Sequence, residues 1–238
     1  GRLFHATDCE TDHGDFAAPD LSEKEKRVME SCRHLLENGL DALQIAWTDE
    51  QIDRLLAFLK LIEKWNKAYN LTAIRNFEDM ARLHLLDSLA VLTHIKGKRV
   101  IDIGTGAGLP GIPLAIFLPE THFTLLDSNQ KKTRFVQQAV LELKLDNVEV
   151  RHARVESFMP EHKFDTVITR AFAALPMIMR TASHLLSEQG ALVAMKGQNP
   201  RDEVAEVKVK SSVIPIHTPG IEAERCVVII QKDAISVG

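Results

Sequence analysis

The sequence predicts an α/β protein in which a mainly parallel sheet carries helices on both faces and follows a helical N-terminal segment. Three observations support this fold class. Apolar residues between about residues 48 and 94 recur at intervals of three and four, as on one side of a helix. Beyond residue 98, short β-rich runs alternate with helical segments, which implies right-handed crossovers between parallel strands. A glycine-rich stretch follows the first β-rich run, at the position where open parallel sheets bind ligands.

The N-terminal part is predicted to be an irregular extension over residues 1–20, followed by a helical cap over residues 21–97. Three cap helices are expected: from about 21 to 45, after Thr48, and from about 76 to 94. The second is the clearest, because Thr48 and Gln51 have the spacing of a capping box. Its apolar residues repeat at three and four: Ile52, Leu55, Leu56, Leu59, Ile62 and Trp65.

Residues 98–238 are predicted to form the α/β domain. The expected strands, in chain order, are RVIDI, HFTLLD, NVEVR, FDTVITR, GALVAMK and CVVIIQK, with helices over 110–118, 129–144 and 175–187. Strands that are apolar along most of their length are typical of a sheet covered on both faces.

The composition is that of a soluble globular protein, with 238 residues, 45% hydrophobic and 26% charged. No apolar run approaches the roughly 18 residues of a membrane span, and no secretory signal is seen, so we expect a cytoplasmic protein. Cys9, Cys32 and Cys226 are far apart and lack metal-site spacing, so we expect free thiols and no metal. Residues 1–30 hold eight acids and four bases and therefore carry the whole net charge of −4. A polyanion must then bind to a local basic patch on the neutral remainder.

The stretch VIDIGTGAGLPGIP can be interpreted in two ways. Gly106, Gly108 and Gly111 form the GxGxxG pattern of dinucleotide sites. Asp102, with Gly104 and the next two glycines, forms the DxGxGxG pattern of S-adenosylmethionine sites. The prolines that follow favour the second interpretation, because they start a helix close to the ligand without forming a diphosphate cradle.

Two later segments are expected to contact the same ligand. Asp127 ends the second strand, and its carboxylate can accept both hydroxyls of an adenosine ribose, in NAD or S-adenosylmethionine alike. The alternative is that Asp127 caps the next helix. Val155 and Glu156, after the third strand, are candidates for the adenine edge, although Glu156 is equally explained as a solvated loop charge.

Seven segments of the chain resemble, in order, the motifs of the bacterial glucose-inhibited division protein B family. They are KWNKAYNLTAI, HLLDSLAV, DIGTGAGLPGIPLAI, HFTLLDS, RVESF, FDTVITRAF and MKGQ. The resemblance covers about residues 45 to 232, and the combination of motifs is specific. Members of this family are S-adenosylmethionine-dependent methyltransferases that act on guanine N7 of 16S ribosomal RNA.

The resemblance implies a class I S-adenosylmethionine-dependent methyltransferase fold behind the helical cap. It also implies that the substrate is one guanine in the decoding-region loop of the small-subunit 16S RNA, which we expect to be bound in the small ribosomal subunit or in an assembly intermediate. We expect a monomer that does not bind membranes. The cofactor contacts that follow from the family and the wider fold are Gly104, Gly106, Leu109, Asp127, Val155, Glu156 and Arg170.

The chemistry of guanine N7 agrees with what the sequence lacks. N7 carries a lone pair and no proton, so alignment and electrostatics can replace a general base, and no catalytic residue is assigned. The chain has no Asp/Asn-Pro-Pro-aromatic turn after the fourth strand and no Pro-Cys nucleophile. Arg154, Arg170 and Lys196 are the candidates for positioning the substrate. Arg170 is expected to bind the cofactor carboxylate, an RNA phosphate or guanine O6, or else to form a structural salt bridge.

Further cations could contact RNA, although ordinary solvated charges explain each of them singly. They are Lys64, Lys67, Arg75, Arg82, Lys131, Lys132, Arg134, Arg151, His152 and Arg154. Lys196 has the alternative of a surface lysine, and Phe172 is either a stacking platform for a base or a core residue. His84, Asp87 and Ser88 in HLLDS are interpreted as packing between cap and domain, because no GxSxG elbow accompanies them.

Two other functions remain open at this point. The first is an NAD-dependent oxidoreductase, which is disfavoured because no His or Tyr-x-x-x-Lys is placed for hydride transfer. The second is an RNA-binding assembly factor that has lost catalysis, against which the intact glycine loop and Asp127 argue.

Overall fold

The computed structural model describes residues 22–170, 172–197 and 200–235. The predicted irregular extension, residues 1–20, lies outside these ranges. Within them, no helix has the length and apolar character needed to cross a membrane.

The chain begins with two long helices, α1 (Glu23–Ala42) and α2 (Asp49–Tyr69). The predicted capping box of α2 is confirmed: the Gln51 N–H donates to Thr48 Oγ1, and the Thr48 N–H donates to the Gln51 side chain. These bonds satisfy two of the backbone donors that a helix start leaves unpaired. A second capping box, between Ser22 and Glu25, fixes the start of α1.

The third helical segment is not the single regular helix expected over 76–94. It consists of α3 (Phe77–Met80), a π-helical stretch (Ala81–Leu86) and α4 (Asp87–Leu89), followed by a 3₁₀ turn at Leu92–His94. A π-helical stretch changes the faces on which the following side chains lie and is often found at functional sites. His84 lies within this stretch, and Asp87 follows it directly.

A seven-stranded sheet forms the centre of the molecule, in the order β3-β2-β1-β4-β5-β7-β6. The strands are β1 (Arg99–Ile103), β2 (His122–Asp127), β3 (Val148–His152), β4 (Phe164–Arg170), β5 (Leu186–Lys196), β6 (Ser212–Ile216) and β7 (Arg225–Gln231). The first five run parallel, and β7 runs antiparallel to both β5 and β6. The mainly parallel sheet is thus confirmed, whereas β6 was not predicted.

Five further helices follow the strands in the chain. They are α5 (Gly111–Phe117), α6 (Gln130–Glu142), α7 (Leu175–Ala182), α8 (Arg201–Val207) and α9 (Lys232–Ile235). From β1 the chain proceeds outward to β2 and β3, and it then returns to place β4 on the other side of β1. The junction of β1 and β4 is therefore the topological switch point, where ligands bind beyond the carboxyl ends of the strands.

Each face of the sheet contributes to its own hydrophobic cluster. In β1, Val100 packs with the cap helices, α5 and α6, whereas Ile101 and Ile103 pack on the opposite face with α7. Phe58 of α2 stacks on Phe135 of α6, with ring centroids 6.3 Å apart. The cap helices therefore share a core with the sheet, and the division at residue 97 stays a prediction.

Candidate active site

The glycine loop begins where β1 ends, at the switch point. Gly104, Gly106 and Gly108 have φ values of +67°, +59° and +86°, which other residues adopt only under strain. The Thr105 N–H donates to the Leu126 carbonyl over 3.0 Å, and this bond ties the loop to the end of β2. The glycines therefore let the backbone turn sharply at the edge of the sheet.

Asp102 lies fully buried beneath the loop. Its Oδ2 accepts hydrogen bonds from Thr105 Oγ1, at 2.7 Å, and from the Gly111 N–H, at 2.9 Å. Burial raises the pKa of Asp102 to about 7, although these two bonds and the nearby Arg170 favour the ionised form. Its Oδ1 has no hydrogen-bond partner among the described residues. A buried oxygen without a partner is rare, and it indicates that a polar group completes this part of the site.

Asp127 connects the glycine loop to the start of α6. Its Oδ2 accepts the Gly106 N–H over 2.8 Å, and its Oδ1 accepts the Asn129 N–H over 2.8 Å. The alternative that Asp127 caps α6 is wrong, because Asn129 is the cap and accepts the Lys132 N–H. Each carboxylate oxygen of Asp127 keeps a lone pair for a ligand hydroxyl.

A cavity of about 350 Å³, here called the glycine-loop cavity, opens beside this carboxylate. It is lined by Gly104, Asp127, Ser128, Lys132, Ala153, Arg154, Val155, Glu156 and Phe172. The structure thus brings together five of the predicted site residues, which are Gly104, Asp127, Arg154, Val155 and Glu156. The Phe172 ring lies against Gly104, since a Cβ built on Gly104 would stand 2.4 Å from the ring.

Two of the predicted cofactor contacts lie beside this cavity without lining it. Gly106 is joined to the Asp127 side chain through its N–H. Leu109 is buried in the hydrophobic core, and its N–H donates to the Thr105 carbonyl over 3.0 Å. A contact from the Leu109 side chain would need the core to open.

A second cavity, of about 400 Å³, lies at the ends of β4 and β5 and is here called the arginine cavity. It is lined by Ile74, Leu83, His84, Asp87, Val91, Arg170, Met195, Lys196, Gly197, Ile216, Arg225 and Cys226. The two cavities are neighbours, because Thr169 Oγ1 donates to the Ile103 carbonyl, directly before Gly104 in the chain. Arg170 and Lys196, predicted for the site, belong to this second cavity.

Arg170 is held in the arginine cavity with most of its donors unused. Its Nη1 donates to the Leu83 carbonyl over 3.2 Å, and it forms no ion pair with a carboxylate in the described ranges. Burial lowers the pKa of Arg170, and the charges of Asp87 and Asp102 oppose this shift. A guanidinium with free donors at a cavity wall is suited to binding a carbonyl or phosphate oxygen.

Lys196 faces inward, and its ammonium is already paired. Its Nζ donates to the Ala173 carbonyl over 2.8 Å and to Glu203 Oε2 over 2.9 Å. Glu203 also accepts the Leu175 N–H, and although burial opposes ionisation, these bonds lower the pKa of its carboxyl. Lys196 therefore ties the end of β5 to the starts of α7 and α8, in addition to lining the cavity.

Three polar residues of the arginine cavity, His84, Asp87 and Arg225, were not predicted as site residues. His84 Nε2 is 2.7 Å from Thr72 Oγ1, its Nδ1 has no partner in the described part of the chain, and burial lowers its pKa to about 4. Asp87 Oδ1 accepts a hydrogen bond from Thr218 and lies 3.3 Å from Nε of Arg225. The sequence motif HLLDS contains His84 and Asp87, and the predicted packing between cap and domain is seen in these contacts.

Of the cations proposed for RNA contact, two line the glycine-loop cavity and the others line neither cavity. Arg154 and Lys132 line the glycine-loop cavity. Arg151 is paired with Glu149, and His152 Nε2 is 3.0 Å from the Ser128 carbonyl. No cluster of His, Cys, Asp and Glu side chains suited to a metal ion is found in the described ranges.

A family model matches residues 51–225 of the chain, and its description is GidB, rRNA small subunit methyltransferase G. The chain is similar to proteins named Ribosomal RNA small subunit methyltransferase G. One, from Hydrogenovibrio crunogenus, is 48% identical over 212 residues, which are 86% of this chain and 98% of that protein. Another, from Escherichia coli (strain SMS-3-5 / SECEC), is 48% identical over 195 residues, which are 80% of this chain and 94% of that protein.

A solved structure is similar to this one in fold. It is that of a putative O-methyltransferase from Klebsiella pneumoniae, with a TM-score of 0.55 and 15% sequence identity, and it covers 84% of this chain and 97% of that one. The predicted class I S-adenosylmethionine-dependent methyltransferase fold is confirmed.

Proposed function

Since the chain belongs to the GidB family, rRNA small subunit methyltransferase G, we propose that it methylates guanine N7 of 16S ribosomal RNA. The observation that carries this proposal is the pair of neighbouring cavities at the switch point of the sheet. One has the residues expected around an adenosine-type cofactor, and the other presents the partly buried guanidinium of Arg170 with free donors. Family membership removes the oxidoreductase alternative.

The glycine-loop cavity fits S-adenosylmethionine, the cofactor of this fold and family. Three features of this chain support the fit. Gly106 leaves open space above the loop, since the nearest atom to a Cβ built there is 4.0 Å away. The carboxylate of Asp127 keeps lone pairs for ribose hydroxyls. Oδ1 of Asp102, beneath the loop, has no hydrogen-bond partner among the described residues. When bound, the cofactor supplies an electrophilic methyl group on a sulfonium.

The arginine cavity is suited to the guanine. N7 would accept, with its lone pair, the methyl group that the cofactor would supply, and the electron pair of the methyl–sulfur bond would stay on sulfur, so that one positive charge would pass to the base. No proton leaves N7, so the side chains of this cavity need only orient the base and stabilise charge. Arg170 positions guanine O6 or an adjacent phosphate through its free donors. His84, neutral because burial lowers its pKa to about 4, adds no positive charge that would oppose the cationic product.

The RNA is expected to lie across both cavities. Arg154 and Lys132, at the rim of the glycine-loop cavity, would contact phosphates, while the target base is turned out of its stack into the arginine cavity. We further propose that the substrate is the decoding-region loop within the small subunit or an assembly intermediate, and that the enzyme acts in the cytoplasm as a monomer. The neutral body of the chain agrees with recognition of a shaped particle rather than of charge alone.

Methyl transfer to defined RNA substrates tests this function. Methyl-labelled S-adenosylmethionine is incubated with unmodified small subunits, large subunits and a short hairpin of the target loop. We expect label only in 16S RNA, fastest in the intact small subunit. Equal labelling of large-subunit RNA would refute the substrate class, and equal rates on the hairpin would refute the particle requirement.

A further inference from the structure

One carboxylate oxygen of Asp87 is held in place by neighbouring side chains, and the other is not. Oδ1 accepts a hydrogen bond from Thr218 Oγ1, at 2.9 Å, and lies 3.3 Å from Arg225 Nε. Oδ2 has no hydrogen bond to any described residue, although only 8% of the side chain is exposed. Because Asp87 lines the arginine cavity and Oδ2 is not sealed off, this oxygen faces the cavity. It is a fixed hydrogen-bond acceptor without a partner.

Among the described residues that line this cavity, Asp87 is also the only carboxylate. The charged side chains around it are Arg170, Lys196 and Arg225, which only donate hydrogen bonds. Such walls suit acceptor atoms such as a carbonyl or phosphate oxygen, and they provide no partner for an N–H group. A ligand that has both kinds of edge would place its N–H groups at Asp87.

Guanine and adenine do not differ at N7 itself, because both carry a lone pair there. A guanine-specific enzyme must therefore distinguish them elsewhere on the base. Guanine carries hydrogens on N1 and on its 2-amino group and an acceptor at O6. Adenine has a lone pair on N1, no 2-amino group and a donor at position 6. A carboxylate oxygen beside N1 consequently attracts guanine and repels adenine.

We propose that Asp87 Oδ2 accepts the hydrogen bond of guanine N1–H, or of its 2-amino group, and thereby selects guanine as the methyl acceptor. This inference rests on the proposed function, because it assumes that the target base enters the arginine cavity. The opposite edge of the base then lies toward the glycine-loop cavity, which orients N7 toward the cofactor. Rejection of adenine follows, since its N1 lone pair would face a buried carboxylate that is left without a donor.

The hydrogen bond between the base and Asp87 also affects the rate of methyl transfer. Methylation places a positive charge on the purine ring, so its N1–H becomes a stronger donor as the reaction proceeds. The bond to Asp87 therefore strengthens between the bound substrate and the transition state, and its loss lowers kcat more than it raises KM. Loss of a residue that only stabilised the fold would not lower kcat more than it raises KM.

The test compares Asp87→Asn with Thr218→Val as a matched control. The first change replaces Oδ2 by an NH2 group and keeps an oxygen acceptor for Thr218, whereas the second removes the Thr218 hydrogen bond and leaves the Asp87 carboxylate intact. The substrates are unmodified small subunits in which the target position is guanosine or, by mutation, adenosine. Nucleoside mass spectrometry measures 7-methylguanosine and 7-methyladenosine, and binding of S-adenosylhomocysteine shows that each variant is folded.

We expect Asp87→Asn to lower kcat/KM on guanosine by about 10- to 100-fold, as for a lost hydrogen bond to a charged group. We expect it to narrow the preference for guanosine over adenosine at least tenfold, because an amide can donate to adenine N1. Thr218→Val should keep the wild-type preference. An equal loss in both variants with an unchanged preference, or an Asp87→Asn enzyme as active as wild type, would overturn the inference.

Wild-type enzyme on altered RNA gives a test that does not depend on a variant. Inosine at the target position keeps N1–H and O6, and we expect it to be methylated, whereas adenosine should not be. Failure on inosine together with rapid methylation of guanosine would overturn the assignment to N1–H and leave only the 2-amino contact. If wild-type enzyme forms no 7-methylguanosine at all, the proposed function itself fails, and the inference fails with it.

Discussion

Replacement of Gly106 by Ala separates two reasons for a glycine at this position, which are its positive φ and the open space above the loop. Gly106 has φ +59°, and a Cβ there would meet no atom closer than 4.0 Å. The cost to folding is therefore the left-handed conformation alone, about 1–2 kcal/mol, which corresponds to roughly 2–8 °C in Tm for a chain of this size. The new methyl group would occupy the open space above the loop in which we propose that the cofactor binds. We expect the affinity for S-adenosylhomocysteine to fall at least tenfold, or about 1.4 kcal/mol.

Gly220 provides the matched control for this experiment. It has φ +78°, so Gly220→Ala carries the same backbone strain, but its Cβ would meet only the flexible Arg82 side chain, at 3.1 Å. Isothermal titration calorimetry and thermal unfolding of both variants give the two quantities. We expect a similar Tm loss in both and weakened cofactor binding only in Gly106→Ala. Equal cofactor affinity in the two variants would refute the position of the cofactor above the loop.

The remaining predictions concern the carboxylates, the buried cation and pH. Asp127→Ala should weaken S-adenosylhomocysteine binding by about 10- to 100-fold in calorimetry, since it removes the proposed ribose acceptor and the bond to Gly106. It should leave subunit binding within about twofold. Arg170→Lys should lower kcat/KM for RNA by about 100-fold while cofactor affinity stays within about twofold, because one ammonium cannot replace a planar fork. Burial lowers the pKa of His84 to about 4, so the unfolded chain binds more protons than the folded chain between pH 4 and 6.5. The free energy of unfolding should therefore rise with pH in this range, by up to about 3 kcal/mol. The raised pKa of Asp102, about 7, acts in the opposite direction, so denaturant titrations of Asp102→Asn should show a steeper rise than wild type.

Local sequence signals predicted much of the fold. The predicted strands RVIDI, HFTLLD and FDTVITR coincide with β1, β2 and β4, because each is a short and mostly apolar run. The capping box at Thr48 correctly placed the start of α2. The glycine spacing predicted a sharp turn, and its three glycines have positive φ. Each of these features depends on a few neighbouring residues, and the sequence contains them.

Features that depend on distant contacts were missed. β6 has exposed and half-buried residues without a clear pattern, and it forms only by pairing with β7. The π-helical stretch has no local signature, so the helix from 76 to 94 was expected to be regular. Asp87 and Arg225 meet because the end of the cap packs against the start of β7, and no spacing in the chain indicates that contact. Asp127 was weighed as a helix cap, but Asn129 lies two residues nearer to α6.

The identity of the product tests the central claim most directly. Unmodified small subunits are incubated with the enzyme and S-adenosylmethionine, and the 16S RNA is digested and examined by nucleoside mass spectrometry. The account predicts one 7-methylguanosine per particle and no methylated adenosine, with kcat/KM for its formation lowered about 100-fold when Arg170 is changed to Lys. A methyl group found on an exocyclic amine, a ring carbon or a ribose would contradict the claim that two cavities without a general base deliver guanine N7.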